Sequence, residues 1–205
     1  HKVKLNYARI LAILGDQTVK ETLVEAVNKA PNWGKGWDYS NQRKYANTFG
    51  PIDRIVIALG FLNSAEVHAP LLEKLDQLTL KSPLSHYKAL CLALRMNKDD
   101  SMAKPLADFI KAKKLKGHTQ RLSYYNEQEN QKNVYVRQGV NTKGGSMVNN
   151  KFKELLIAAL LFECGDYQNL GREILQAYTK DVNGHFAAYA HRVLSQGTAI
   201  SYIGE

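Results

Sequence analysis

One local pattern recurs along this chain and restricts its fold more than any bulk property does. Four times an apolar run of helical period ends at a turn residue and restarts within a few positions. Gly15, Asn63, Asn97 and Gly165 close the first run of each pair. From Val3 to Leu14 the residues Val3, Leu5, Tyr7, Ala8, Ile10, Leu11 and Leu14 make one broad apolar face, and Gly15 supplies the glycine that suits a helix C-terminus. Asp16 and Thr18 can cap a second helix, Val19 to Ala30, with Leu23, Val24 and Val27 inward and Pro31 as its stop. The unit returns as Ile52–Leu62 with Glu66–Leu78, as Leu84–Met96 with Met102–Lys113, and as Phe152–Glu163 with Leu170–Tyr178. A last helix is expected over His185–Ser195, after Gly184.

Aligned on the turns, the spacings are 48, 34 and 68 residues. Thr22, Pro70, Pro105 and Arg172 follow at matching distances, and Leu23, Leu71 and Leu106 directly follow the first three. A unit of this size with long insertions predicts an all-α chain, an α-solenoid (α-α superhelix) of HEAT-like helix pairs in one domain over residues 1–205. Two insertions interrupt the period, at about 31–50 and about 115–146. Loops of this length in a compact domain are functional or disordered, and aromatic content argues against disorder.

The chain has 205 residues, enough to bury a core, and its apolar share of 44% is ordinary. No apolar run reaches the roughly 20 residues needed to span a bilayer. No charged and apolar leader opens the chain, and because His1 stands first, an excised fragment is expected. A formal charge of +9 and a pI near 9.4 favour acidic partners without naming one. Cys91 and Cys164 lie in apolar helical runs and are expected as buried free thiols, which fixes no compartment.

No catalytic motif is present. Gly34-Lys35-Gly36 lacks the third glycine and the preceding strand of a dinucleotide fingerprint, and no histidines pair at metal-ligand spacing. The candidate contact surface is therefore drawn from the insertions. Trp33, Trp37, Asp38 and Tyr39 put aromatics and a carboxylate on a glycine-flexed loop, suited to a flat ligand, a sugar or a partner chain. The bland alternative is that both tryptophans staple the loop to the helices. His118 and Arg121 close a basic run, Lys111, Lys113, Lys114 and Lys116, followed by Tyr124, Tyr125 and Tyr135. Such a run could meet phosphates, or could simply serve a helix C-terminus. An enzyme built on Asp38, Asp53 and His118 has only residue type behind it.

The stretch from Phe152 to Asp166, then Leu170–Tyr178 and Gly184–His191, resembles the C-terminal helical region of bacterial FAD-dependent oxidoreductases. Gly34–Tyr39, Pro51–Asp53 and Lys116–His118 are similar to it as well. The resemblance implies a non-catalytic accessory domain with no cofactor of its own. Its implied intramolecular partner is a flavin-binding domain absent from this chain, with FAD bound there. Some members of that group are exported, which implies that a periplasmic or extracytoplasmic location is open. The alternative is a stand-alone basic HEAT-like protein that binds nucleic acid, which requires its cations to converge on one face.

Overall fold

The computed structural model describes residues 2–40, 48–123, 136–138 and 144–200. Nine α-helices occur among them: α1 (Lys2–Ile13), α2 (Lys20–Lys29), α3 (Pro51–Gly60), α4 (His68–Asp76), α5 (Leu84–Met96), α6 (Ala103–Ala112), α7 (Gly144–Glu163), α8 (Leu170–Tyr178) and α9 (Gly184–Ile200). The described residues are all-helical apart from one short antiparallel pair in the second insertion, β1 (Arg121–Ser123) with β2 (Val136–Gln138), in which Leu122 is paired with Arg137. The expected loop at 115–146 thus carries two strands, and its last residues already belong to α7, which starts before the expected Phe152.

The four turns share a physical cause. At each, a short polar residue opens a one-turn 3-10 helix that leads into the second α-helix. Asp16 accepts from the backbone N–H of Thr18, Ser64 from that of Glu66 and Asp99 from that of Ser101, satisfying donors that a helix start leaves unpaired. Asp166 does the same job further along the chain, accepting from the N–H groups of Gly171 and Arg172. Three left-handed residues, Asp166, Gln168 and Asn169, lengthen that turn. This shift means that Arg172 is not the counterpart of Pro70 and Pro105; Glu173, which precedes the buried Ile174, holds that place.

After each turn the second helix buries the same three-residue ladder at four-residue spacing: Val19, Leu23 and Val27; Val67, Leu71 and Leu75; Met102, Leu106 and Ile110; Leu170, Ile174 and Tyr178. Burying one such side chain fully contributes about 1.5–3 kcal/mol, so the ladders are a main source of cohesion. Pro70 and Pro105 fall in the first turn of α4 and α6, where the missing N–H has no intrahelical partner to lose.

The first helices pack in sequence, α1 on α3, α3 on α5, α5 on α7 and α7 on α9, while α2, α4, α6 and α8 each pack on the first helix of the following pair. A close approach lies between α3 and α5. A Cβ on Gly60 would stand 2.6 Å from the Cα of Ala93, so this crossing requires glycine. Beside it, Asn97 donates to the carbonyls of Gly60 and Ala93 and accepts from the N–H of Ser64, joining one turn to the next.

Candidate functional site

The two insertions converge on α5 and α7. Trp33 is buried, its indole N–H donating to the Lys74 carbonyl and its ring stacked on His86 at a centroid distance of 4.9 Å. Trp37 is equally buried. Its backbone exchanges hydrogen bonds with Ser85, donating to Oγ at 3.2 Å and accepting from the Ser85 N–H at 3.0 Å. Gly36 passes so close that a Cβ there would lie 2.4 Å from Ser85 Oγ. At the far end of the insertion, the N–H of Gly50 donates to Asp53 Oδ2. Asp53 Oδ1 in turn accepts from His86 Nδ1 at 2.6 Å, with both side chains sealed from solvent. One buried aspartate–histidine pair therefore latches both ends of the first insertion.

That pair, with Ser85 adjacent, invites comparison with a nucleophile–histidine–aspartate triad, and its geometry is wrong for one. The nucleophile must meet the imidazole nitrogen that the carboxylate does not hold. Ser85 Oγ instead lies 3.5 Å from Nδ1, the same nitrogen that Asp53 binds. Nε2 of His86 is buried with no hydrogen-bond partner among the described residues. Asp53 is thus engaged by His86 and by the Gly50 N–H.

Asp38 and Tyr39 are half-buried where the loop crosses α7. The Tyr39 N–H donates to Asn149 Oδ1, and its ring stacks on Phe152 at 5.3 Å. Phe152 meets Phe186 of α9 edge-on. The Lys88 ammonium sits over both Trp37 and Phe152, a cation–π arrangement that aromatic faces favour. Beneath this layer Lys153 is buried, donating to the Leu80 carbonyl at 2.7 Å and lying over the ring of Tyr87.

Burial pushes the Lys153 ammonium down to about 8, with the Asp38 carboxylate opposing the shift. Below about pH 8 Lys153 is charged both folded and unfolded, so the fold bears the full desolvation cost. Between about 8 and its ordinary 10.5 the folded chain has lost a proton that the unfolded chain still binds, so stability rises with pH. Above 10.5 both forms are neutral and the cost is gone. The rise is expected to reach at most about 3 kcal/mol. Urea denaturation of the wild type and of Lys153→Met across this range checks it: the difference between the two curves should close as pH increases, and parallel curves would refute the assignment.

The second insertion is held by carboxylates. Glu154 accepts from the N–H groups of Gly117 and His118 and from the Tyr178 hydroxyl, at 2.7–2.9 Å. Burial raises the Glu154 carboxyl above its ordinary range despite these donors, and burial beside Glu154 raises the Tyr178 phenol. His118 is buried and held below its ordinary value, by burial first and then by the charge on Lys153; its Nε2 has no partner among the described residues. Next to it, Asp181 accepts from the Gln120 N–H and pairs with Lys151 at 2.8 Å, fully buried.

Trp33, Trp37 and His118 are thus interior, Asp38 and Tyr39 lie at the boundary, and Arg121 opens β1 with its side chain outside the described residues, as are Tyr45, Tyr124, Tyr125 and Tyr135. Three lysines of the basic run have partners of their own. Lys111 donates to Gln168, Lys113 pairs with Asp76 and Lys116 pairs with Glu173. Lys153 is in the core. Burial raises the thiols of Cys91 and Cys164 to about 12 and about 11, which leaves them unreactive near neutrality. No metal-binding group of side chains occurs among the described residues, and no helix there is long and apolar enough to cross a membrane.

Sequence reasoning missed Lys151, Lys153, Glu154 and Asp181. A signal existed: Lys151 and Glu154 fall on the same helical face as the apolar Ala158 and Leu161. A charge in register with a core face predicts a buried, paired charge.

A cleft of about 870 Å³ lies between the ends of α5 and α7 and the side of α9, lined by Arg95, Glu163, Asp166 and Arg172 among others. Arg95 pairs with Glu163 there, and Asp166 caps α8. The chain matches no known family, no curated protein and no solved structure, so its functional reading rests on its own residues.

Proposed function

We propose that this chain is a non-catalytic interaction domain, an α-solenoid of HEAT-like helix pairs that serves as the C-terminal accessory part of an FAD-dependent oxidoreductase. One observation carries the non-catalytic reading. The buried polar groups Asp53, His86, Glu154, Lys151 and Asp181 bond to one another or to backbone N–H groups and hold the two insertions in place. The repeated capped turn, the repeated buried ladder and the pair-on-pair packing support the solenoid. The segment resemblance supports the flavoenzyme parent, with the flavin on a domain outside this chain.

The polypeptide that carries this chain, purified from its source, is expected to bring FAD with it, read from flavin absorbance; a flavin-free polypeptide would remove the oxidoreductase part. The chain alone is expected to bind neither FAD nor short DNA at about 0.15 M salt. Tight DNA binding that weakens steeply as salt rises would replace this reading with the nucleic-acid one. The dispersal of Lys111, Lys113 and Lys116 into separate contacts favours the first.

A further inference from the structure

Helices α3 and α5 each have a first helix packed on both flanks, yet one narrow side of each stays open. Beyond its first turn, α3 shows Arg54, Ile57 and the capping Phe61 on that side; α5 shows Lys88, Leu92, Arg95 and Met96. Residues three, four and seven apart share one helix face, so each set is a continuous stripe.

The stripes are in register. Ile13, Phe61 and Met96 each stand three residues before the cap of the next turn (Asp16, Ser64 and Asp99), and Arg9, Ile57 and Leu92 stand seven before it. Contacts between neighbouring helices put them on one side of the row. Arg9 of α1 is held below its ordinary value by burial and then by the Arg54 guanidinium beside it. Arg95 of α5 pairs with Glu163, which holds the place of Ile13 and Phe61 on α7. Ile13 is 50%, Phe61 41% and Leu92 40% exposed. The apolar stripe Tyr7, Ile10, Leu11 and Leu14 of α1 points away from Arg9 and takes no part.

Charge selects what fits this side. Helices α1 and α5 contain no acidic residue, and the one in α3, Asp53, is buried against His86. The exposed carboxylates Glu21, Glu25, Glu73, Asp76 and Asp108 belong instead to α2, α4 and α6. At the ends of the stripes Asp16 and Asp99 cap the turns, and Glu163 holds Arg95. Arg9, Arg54 and Lys88 have no ion pair among the described residues, and Arg9 Nε is buried without an acceptor. Two guanidiniums set against each other are stabilised when carboxylates join them. A phosphate backbone would use these cations and leave Ile13, Phe61 and Leu92 facing charge, whereas an acidic polypeptide with apolar side chains uses both. A second copy presenting this side would set cation against cation.

We propose that the open side of α1, α3 and α5 docks an extended acidic segment of a partner polypeptide, with its apolar side chains on Ile13, Phe61 and Leu92 and its carboxylates on Arg9, Arg54 and Lys88. At about 8–10 Å between packed helices, the crossing from α1 to α5 is about 20 Å, which about six extended residues span. This rests on the interaction-domain reading and specifies the partner's chemistry.

The test is fluorescence anisotropy with two labelled synthetic peptides of about ten residues that share the same leucines, one with glutamates between them and the other with lysines. The glutamate peptide is expected to bind at least about tenfold more tightly than the lysine peptide, and more weakly as salt rises. Its binding should fall at least about tenfold in Arg54→Glu and in Leu92→Ser. The melting temperature of Arg54→Glu should stay near wild type, because a negative charge suits the start of α3. Equal binding of both peptides would overturn the charge assignment, and binding of neither would overturn the docking surface. Tight binding of a short DNA duplex, lost in Arg54→Glu, would give this side to nucleic acid instead. A concentration-dependent dimer in sedimentation velocity, lost in the same variant, would give it to a second copy. Flavin in the polypeptide that carries this chain is read separately: its absence removes the oxidoreductase reading and leaves the peptide result standing.

Discussion

Lys151→Met is expected to destabilise the fold by about 3–5 kcal/mol, a large share of the stability of a domain this size. Lys151 and Asp181 are both sealed from solvent, and the ammonium lies 2.8 Å from each carboxylate oxygen and 3.3 Å from Gln120 Oε1. Removing the lysine leaves a carboxylate charge in the core, held by the Gln120 N–H and by the backbone N–H and side-chain amide of Asn183. The lost pair would also free the strand-bearing insertion, since Gln120 is tied to Asp181 and, through its carbonyl, to the N–H of Val182. Urea denaturation of Lys151→Met, Asp181→Asn and the double variant measures the coupling. The double variant should recover part of the loss, because it no longer buries an unpaired charge. A single-variant cost under about 1 kcal/mol would mean that water reaches the pair and that its burial is incorrect.

Trp33→Ala is expected to cost a further class of about 3–5 kcal/mol by emptying a large core site. The indole covers His86, and its N–H satisfies the Lys74 carbonyl, so the variant leaves a cavity and an unpaired acceptor together. Amide exchange should show the effect spreading from residues 33–37 to the N–H of Ser85, which donates to the Trp37 carbonyl. This result separates a staple from a contact residue. If Trp33 served only to touch a partner, its removal would change stability by no more than about 0.5 kcal/mol.

These two variants mark the boundary between what was readable along the chain and what was not. Turns, caps and ladders are local. Whether Asp16 can bind the N–H of Thr18, or Leu23 and Val27 can share a helix face, depends on residues a few positions apart. The helix pairs follow from sequence for that reason, and so does burial of Cys91 and Cys164. Even the misplaced Arg172 is local in origin, because three left-handed residues after Gly165 are not encoded by any glycine.

The aromatic loop was visible and its use was not. Trp33, Trp37, Asp38 and Tyr39 announced a feature in the first insertion, with staple and contact surface both open. Which of the two applies depends on Ser85, His86, Asn149 and Phe152, residues tens of positions away that become neighbours only once α5 and α7 stack. The same holds for Lys153, which as sequence is one more basic residue and in the fold is an ammonium forced toward neutrality by burial.

The amino-acid order alone determined that this chain forms paired helices with a basic surface, because helical period, capping and net charge are properties of short segments and of composition. Tertiary structure decided which charges are buried and paired, which aromatics are interior, and which apolar stripe is left open. Burial is a property of what packs against a residue. The stripe on α1 and its counterparts on α3, α5 and α7 read alike along the chain, and only what packs against each of them separates their burial.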